Sequence, residues 1–325
     1  MLLQIRGLIK HFEAPRSIFN LHPGTVRAVD GVDLFIRQGE TLGLVGESGC
    51  GKSTLGRTIL SLIPATGGEV RYRGEDILRL PGEKLRLLKQ KMQIVFQDPY
   101  SSLNPRMTVL DLVSSPLDNY RIGSPEERQA KVVGMLNRVG LGEEHLYRYP
   151  HEFSGGQRQR IGIARALVLN PEFVVCDEPV SALDVSVRSQ VLNLMDSLQK
   201  EFGLTYLFIS HDLSVVRHIS DRVAVMYLGK IVEIAGKKDL YQDPRHPYTK
   251  ALLSAIPIPD PSVTRKRTPL SGDVPSAYNP PGGCRFHPRC PRRAAKCERE
   301  EPRLEAVSGD HQAACHFLQE DHNDR

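Results

Sequence analysis

The chain runs to 325 residues, 40% of them hydrophobic and 25% charged, with a formal net charge of +5. That length suits one large domain or two, and the composition is ordinary for a soluble globular protein. No stretch approaches the about 18 to 20 consecutive apolar residues that cross a bilayer, which excludes an integral membrane segment. The modest positive charge implies a solvated surface with a mild preference for anionic partners such as nucleotides or lipid headgroups. The first residues, MLLQIRGLIKHF, are interrupted by Arg6 and Lys10 and lack the apolar core of a signal peptide. A cytosolic chain with reduced thiols is therefore expected.

In chain order, residues 1 to about 50 read as β-rich, with apolar runs LFI at 34–36 and TLGLVG at 41–46. A helical pattern follows over 51–64 (GKSTLGRTILSLIP), then a β-type run, QIVFQD, over 93–98. The region 103–150 changes character. Ser124 reads as an N-cap, with Pro125 at the first helical position and Glu127 three residues past the cap. After FSGG, the stretch QRQRIGIARALVL has apolar residues at helical spacing, while FVVCD (173–177) and TYLFISHD (205–212) read as buried strands. Strands alternating with helices predict an α/β fold with a mainly parallel sheet. From Pro257 onward, Pro259, Pro261, Pro269, Pro275, Pro280 and Pro281 mark a boundary and an extended connection.

GESGCGKST at 46–54 fits G-x-x-x-x-G-K-[ST] between an apolar strand and a helix. Gly46, Gly49 and Gly51 let the backbone curl, so that the N–H groups of the loop (with Glu47, Ser48, Cys50 and Thr54) point at phosphate oxygens. The helix beginning near Lys52 adds its positive dipole end. Lys52 is expected on the β- and γ-phosphates of ATP, and the Ser53 hydroxyl on Mg²⁺. A bare Gly-rich turn is the bland alternative, and the strand–loop–helix context argues against it. Asp177 and Glu178 end a buried strand, where Asp177 can hold Mg²⁺ and Glu178 can polarise the attacking water. No guanine-recognition Asn/Thr-Lys-x-Asp motif is present. FSGGQRQR at 153–160 puts Ser154, Gly155 and Gly156 at a helix start, a second anion-binding end in a chain with one phosphate loop.

At this point the sequence resembles the ATP-binding subunits of ABC transporters. Their signature, usually Leu-Ser-Gly-Gly-Gln, stands here as Phe153 to Gln157. Gln97 in VFQDP matches the Q-loop glutamine, which senses Mg²⁺, the water and the membrane subunit. Asp184 closes the D-loop SALD, and His211 matches the switch histidine. The resemblance implies a P-loop NTPase core with a β-rich N-terminal subdomain and an inserted helical subdomain over about 103–152, all within residues 1–257. It also implies a head-to-tail pair with each ATP between the phosphate loop of one subunit and the signature of the other. Glu178 and His211 are both present, so this chain's phosphate-loop site is expected to hydrolyse ATP. An aromatic near the N-terminus should stack on adenine. Phe12 fits best, with His11 and Phe19 as alternatives and core packing as the competing use of Phe12.

Four stretches narrow the resemblance to ATPases of bacterial oligopeptide/dipeptide importers: 97–109 (QDPYSSLNPRMTV), 176–187 (CDEPVSALDVSV), 243–257 (DPRHPYTKALLSAIP) and the tail at 282–297 (GGCRFHPRCPRRAAKC). The implied partners are a paralogous ATPase, two membrane permeases and, through them, an extracytoplasmic solute-binding protein. The implied place is the cytoplasmic face of the bacterial inner membrane. Nickel chelates, sugars or opines are alternative solutes in the family. ABC ATPases outside transport carry coiled-coil or zinc insertions, or two cassettes, and neither pattern is present. TRKR at 264–267 reads as a solvated linker, so no nucleic-acid partner is expected.

Residues 258–325 read as a Pro-rich linker and a Cys-rich extension. Cys284, Cys290, Cys297 and Cys315 form C-x5-C-x6-C-x17-C. Four thiolates suit Zn²⁺ or an iron–sulfur cluster, and the absence of a tight C-x2-4-C knuckle argues for the bulkier group. Arg285, Arg289, Arg292, Arg293 and Lys296 should lower the thiol pKa values. The family resemblance implies a [4Fe–4S] cluster, with Zn²⁺ as the alternative and His287 as a reserve ligand. Such a group could hold together a tail too short and too polar for much core, with redox sensing as the rival role. Cys50 and Cys176 read as small packing residues. Cys50 has a second reading as a reactive thiol, because it sits near a helix N-terminus.

Overall fold

Four runs, Thr41–Val45, Phe173–Asp177, Thr205–Ser210 and Arg222–Tyr227, are buried at every residue. A strand covered on both faces reads as a continuous rather than alternating apolar run, which is why the sequence pattern finds them. The computed structural model describes residues 1–13, 24–256 and 272–318. These divide into a unit built from Met1–Ile36, Thr41–Leu78 and the chain from Ser210 onward, and a second built from Arg37–Glu40 and Arg79–Ile209.

The first unit opens with β1 (Leu3–Glu13), β2 (Thr25–Ile36), β3 (Thr41–Val45), α1 (Lys52–Ile59), β4 (Gly67–Tyr72) and β5 (Glu75–Asp76). An antiparallel sheet runs β2-β1-β4-β5 and buries Leu3, Ile5, Leu8, Val29, Val32 and Ile36. The helix expected over 51–64 ends at Ile59, because Ser61 turns to φ 51 and breaks the ladder ahead of Pro64.

The second unit holds α2 (Gly82–Leu88), β6 (Met92–Val95), α3 (Pro99–Ser102), α4 (Val109–Asn119), α5 (Pro125–Arg138), α6 (Gly155–Leu167), β7 (Phe173–Asp177), α7 (Val185–Phe202) and β8 (Thr205–Ser210). β6, β7 and β8 are parallel neighbours. β6 stops at Val95 rather than at 98, since Asp98 caps α3 by accepting the Tyr100 N–H at 2.8 Å. The helical insert is set by local signals. Thr108 with Asp111, and Ser124 with Glu127, form reciprocal capping boxes at the starts of α4 and α5. Leu112, Val113, Leu117, Val132 and Leu136 then bury the apolar stripes.

The chain completes the first unit with α8 (Leu213–Ile219), β9 (Arg222–Tyr227), β10 (Lys230–Gly236), α9 (Lys237–Gln242), α10 (Pro247–Ser254), α11 (Ala295–Arg299), β11 (Glu305–Ser308) and β12 (His311–Ala313). β3 and β9 are parallel. β10 returns antiparallel to β9 through Leu228 and Gly229, both at positive φ, as a tight hairpin requires. β12 then pairs antiparallel with β10 and β11 with β12, so the predicted parallel sheet is mixed at this edge. The described part of the Cys-rich tail is thus a sheet edge of the first unit. Phe286 and Ala313 are in its core, more than the polar sequence of this segment suggested. The linker around 257–271, with TRKR, lies outside the described residues.

Candidate functional site

The phosphate loop connects β3 to α1 in the first unit. Gly51 is in the left-handed region at φ 106, and a Cβ there would lie 1.9 Å from the Ala28 carbonyl oxygen. A Cβ on Gly46 would lie 2.2 Å from the Met226 carbonyl oxygen. Both glycines are therefore required by close backbone approach, which leaves a cradle of N–H groups with no side chain in its way. Lys52 is only 4% exposed, and its Nζ donates to the carbonyls of Gly46 (2.8 Å) and Glu47 (2.9 Å). Its ammonium is held over the loop, as phosphate recognition needs. Ser53 and Thr54 begin the helix, and Ser48 and Gly49 are exposed at the tip.

Cys50 is buried, and burial pushes its thiol up. The Lys52 ammonium, 3.8 Å from Sγ, offsets burial only in part, which favours Cys50 as a packing residue over a reactive thiol; Cys176 is fully buried. On β1, Phe12 is 37% exposed, with the Lys10 ammonium 4.7 Å from its ring centre. It does not pack in the core. His11 is engaged instead, its Nε2 2.9 Å from Asp30 Oδ1, and Phe19 lies outside the described residues. His211 is exposed directly after β8, ahead of α8.

In the second unit, Asp177 is fully buried at the end of β7. Glu178 follows at φ 47, a left-handed conformation that a non-glycine residue keeps only when its surroundings enforce it. Its N–H donates to the Ile209 carbonyl at 3.1 Å. Its Oε2 accepts from Gln97 Nε2 at 3.2 Å, so two residues 81 positions apart and singled out separately are brought together. The signature caps α6. Ser154 Oγ accepts the Gln157 N–H (3.4 Å), and Gln157 Oε1 accepts the Ser154 N–H (3.0 Å). A Cβ on Gly156 would lie 2.4 Å from Val187 Cγ1, while Ser154 stays exposed. Asp184 is exposed at the start of α7.

Residues 29–181, which hold the loop, the signature and the acidic strand end, match the family description "ABC transporter". A second description, "Oligopeptide/dipeptide transporter, C-terminal region", matches residues 232–297. The oligopeptide transport ATP-binding protein AppF of Bacillus subtilis is 54% identical over 319 residues, 97% of each chain. The chain belongs to the ABC transporter family of ATP-binding subunits. The dipeptide transport ATP-binding protein DppF of Escherichia coli is 52% identical over 322 residues, 99% of this chain and 96% of that one. A solved ATP-binding cassette, in a dimeric post-hydrolysis state bound to ADP and Pi, matches with a TM-score of 0.64 at 30% identity. It covers 73% of this chain and 99% of its own. This chain is therefore an ABC-type ATPase. No helix among the described residues is long and apolar enough to cross a membrane.

None of the tail cysteines is in a disulfide. Among the described residues no three His, Cys, Asp or Glu side chains are gathered as a group that would hold a metal ion, so the side chains as placed form neither a Zn²⁺ nor a cluster site. The four are still near enough to feel one another: the charges of Cys297, Cys290 and Cys315 all add to the upward push on Cys284. Arg292 does lower Cys290 and Cys315 as expected, but a larger influence outweighs it. Burial is the largest influence, raising Cys290 and Cys315 and pushing Cys284 up to about 11. Two of the cations are engaged elsewhere, Arg285 with Asp30 and Arg289 with Glu47. His287 turns its Nδ1 to the Cys284 carbonyl at 2.9 Å. Sequence reasoning missed Glu233, a fully buried carboxylate on β10. It accepts the N–H groups of Arg245 (2.7 Å) and His246 (2.9 Å) and faces His311 Nε2 at 2.7 Å.

Proposed function

We propose that this chain binds and hydrolyses ATP to power import of di- or oligopeptides. It would work at the cytoplasmic face of the bacterial inner membrane, paired head to tail with a homologous ATPase on two permeases supplied by an extracytoplasmic solute-binding protein. The observation that carries the peptide reading is the likeness to oligopeptide and dipeptide transport subunits over nearly the full length of both chains, tail included. Uptake of a labelled dipeptide and tripeptide by the reconstituted complex tests it. Uptake of a nickel chelate, sugar or opine instead would overturn the substrate and leave the ATPase standing.

In this reading Lys52 and the N–H groups of Gly46 to Thr54 hold the phosphates, Phe12 stacks on adenine, and Ser53, Gln97 and Asp177 would hold Mg²⁺. Glu178 orients and deprotonates the attacking water, and His211 reaches the γ-phosphate. Ser154, Gly155, Gly156, Gln157 and Asp184 face the partner's nucleotide. The Gln97–Glu178 hydrogen bond and the enforced backbone of Glu178 support these roles. Glu178→Gln in this chain alone should cut the turnover of the assembled complex by about 10²- to 10⁴-fold. Unchanged turnover would remove Glu178 as the base.

The boundary near residue 257 and the tail chemistry belong to the same proposal. Cys284, Cys290, Cys297 and Cys315 would hold a [4Fe–4S] cluster, a reading carried by the four-cysteine spacing of the tail and by the nearness of the other three thiols to Cys284. Iron, acid-labile sulfide and zinc assays on anaerobically purified protein test it. Stoichiometric zinc without iron, or no metal at all, would refute the cluster.

A further inference from the structure

The phosphate loop carries one carboxylate of its own. Glu47 is the second residue of the loop, and its charge opposes that of any polyphosphate bound there. The tail answers that charge. Arg289, 6% exposed, meets Glu47 in a bidentate pair, Nη1 to Oε2 at 2.7 Å and Nη2 to Oε1 at 3.1 Å. That fork geometry neutralises the carboxylate and fixes its direction. The backbone of Glu47 is held from the same side, its N–H donating to Tyr248 Oη at 2.9 Å. The rings of Tyr227, Tyr248 and Phe286 pack against one another beneath this contact. Four residues upstream, Arg285 pairs with Asp30 and donates to the Leu228 carbonyl, and Asp30 also takes His11, the neighbour of Phe12. One short tail segment thus grips the loop, and also the β2 residue that holds His11.

We propose that Arg289 is a positioning residue for the nucleotide. By pairing with Glu47 it cancels and turns aside the one carboxylate of the phosphate loop, so the tail sets the affinity for polyphosphates. This rests on the loop being the ATP site. The effect is electrostatic, so it must grow with the number of phosphates and fade with salt. A purely packing role would do neither.

The test is equilibrium binding of ATP, ADP and adenosine to the full-length chain, at low and high salt, for four proteins: the natural chain, Arg289→Ala, Glu47→Gln and the double variant. Arg289→Ala leaves a bare carboxylate beside the phosphates. It is expected to weaken ATP binding about tenfold at low salt, ADP less, and adenosine not at all. Adding Glu47→Gln should restore most of the lost affinity. Glu47→Gln alone leaves an unpaired cation near the loop and should tighten ATP binding several-fold, which keeps the proposal testable if Arg289→Ala does not fold. Equal losses for ATP and adenosine, or no recovery in the double variant, would overturn the proposal. So would ATP binding in Glu47→Gln that is unchanged or weaker. A natural chain that binds no ATP would instead refute the reading of the loop itself.

Discussion

Phe286 offers the most direct measure of how firmly the tail is built into the first unit. Its ring is 1% exposed and meets Tyr227 edge-on at 5.3 Å, with Tyr248 at 5.4 Å and His246 at 5.6 Å between ring centres. Truncation to Ala removes a side chain that buries on the order of 150 Å², about 4 kcal/mol at 25 to 30 cal/mol per Å². The lost ring contacts add to this and partial collapse of the cavity subtracts, so Phe286→Ala should cost about 3 to 5 kcal/mol. Phe286→Leu refills part of the space and should recover about half of it. The chain has ten tyrosines and no tryptophan, so tyrosine emission follows urea unfolding with Tyr227 and Tyr248 among its contributors. A loss below about 1 kcal/mol with an unchanged urea slope would refute the reasoning, since it would mean that the tail is not part of the cooperative core.

Three further outcomes are expected. Gly51→Ala places a Cβ 1.9 Å from the Ala28 carbonyl at φ 106, so it should destabilise the first unit by about 3 kcal/mol and abolish nucleotide binding, read by calorimetry. Burial, offset in part by Glu233, holds His246 down at about 4 against 6.5 unfolded. The unfolded chain therefore binds more protons between these values, and stability falls by about 1.4 kcal/mol per unit as pH drops from 6.5 towards 4. His246→Asn keeps an acceptor for the Tyr248 N–H and should flatten that part of the unfolding profile; an identical slope would refute the assignment. Ser124→Ala and Ser154→Ala each remove one capping box and should each cost about 1 kcal/mol in chemical denaturation. Only Ser154→Ala should also lower ATP turnover of the assembled complex, given its proposed role.

Much of the site is legible in short stretches because its signals are local. A phosphate loop needs glycines at set offsets between an apolar run and a helix, and a capping box needs two residues three apart. Both are written in consecutive residues, and Gly51, Ser154 and Ser124 stand where those rules put them. Helix ends were less legible. α1 stops at Ile59 because of a backbone reversal at Ser61 that apolar spacing does not encode.

The tail shows where local reading stops. From sequence alone, residues 284–297 are a basic, Cys-rich segment whose arginines should sit by the thiols and lower their pKa values. Arg292 does so for Cys290 and Cys315, but two of the arginines turn away from the thiols, because buried charge seeks its partner in space. Arg289 finds Glu47 across 242 positions and Arg285 finds Asp30 across 255. β12 pairs with β10, and His311 faces Glu233, which no neighbouring residue could have satisfied in this way. The chemistry of each motif is readable from consecutive residues, because it depends on residue type and spacing. That Arg289 pairs with the phosphate loop is written nowhere in its neighbourhood, because the pairing depends on two distant segments folding against one another.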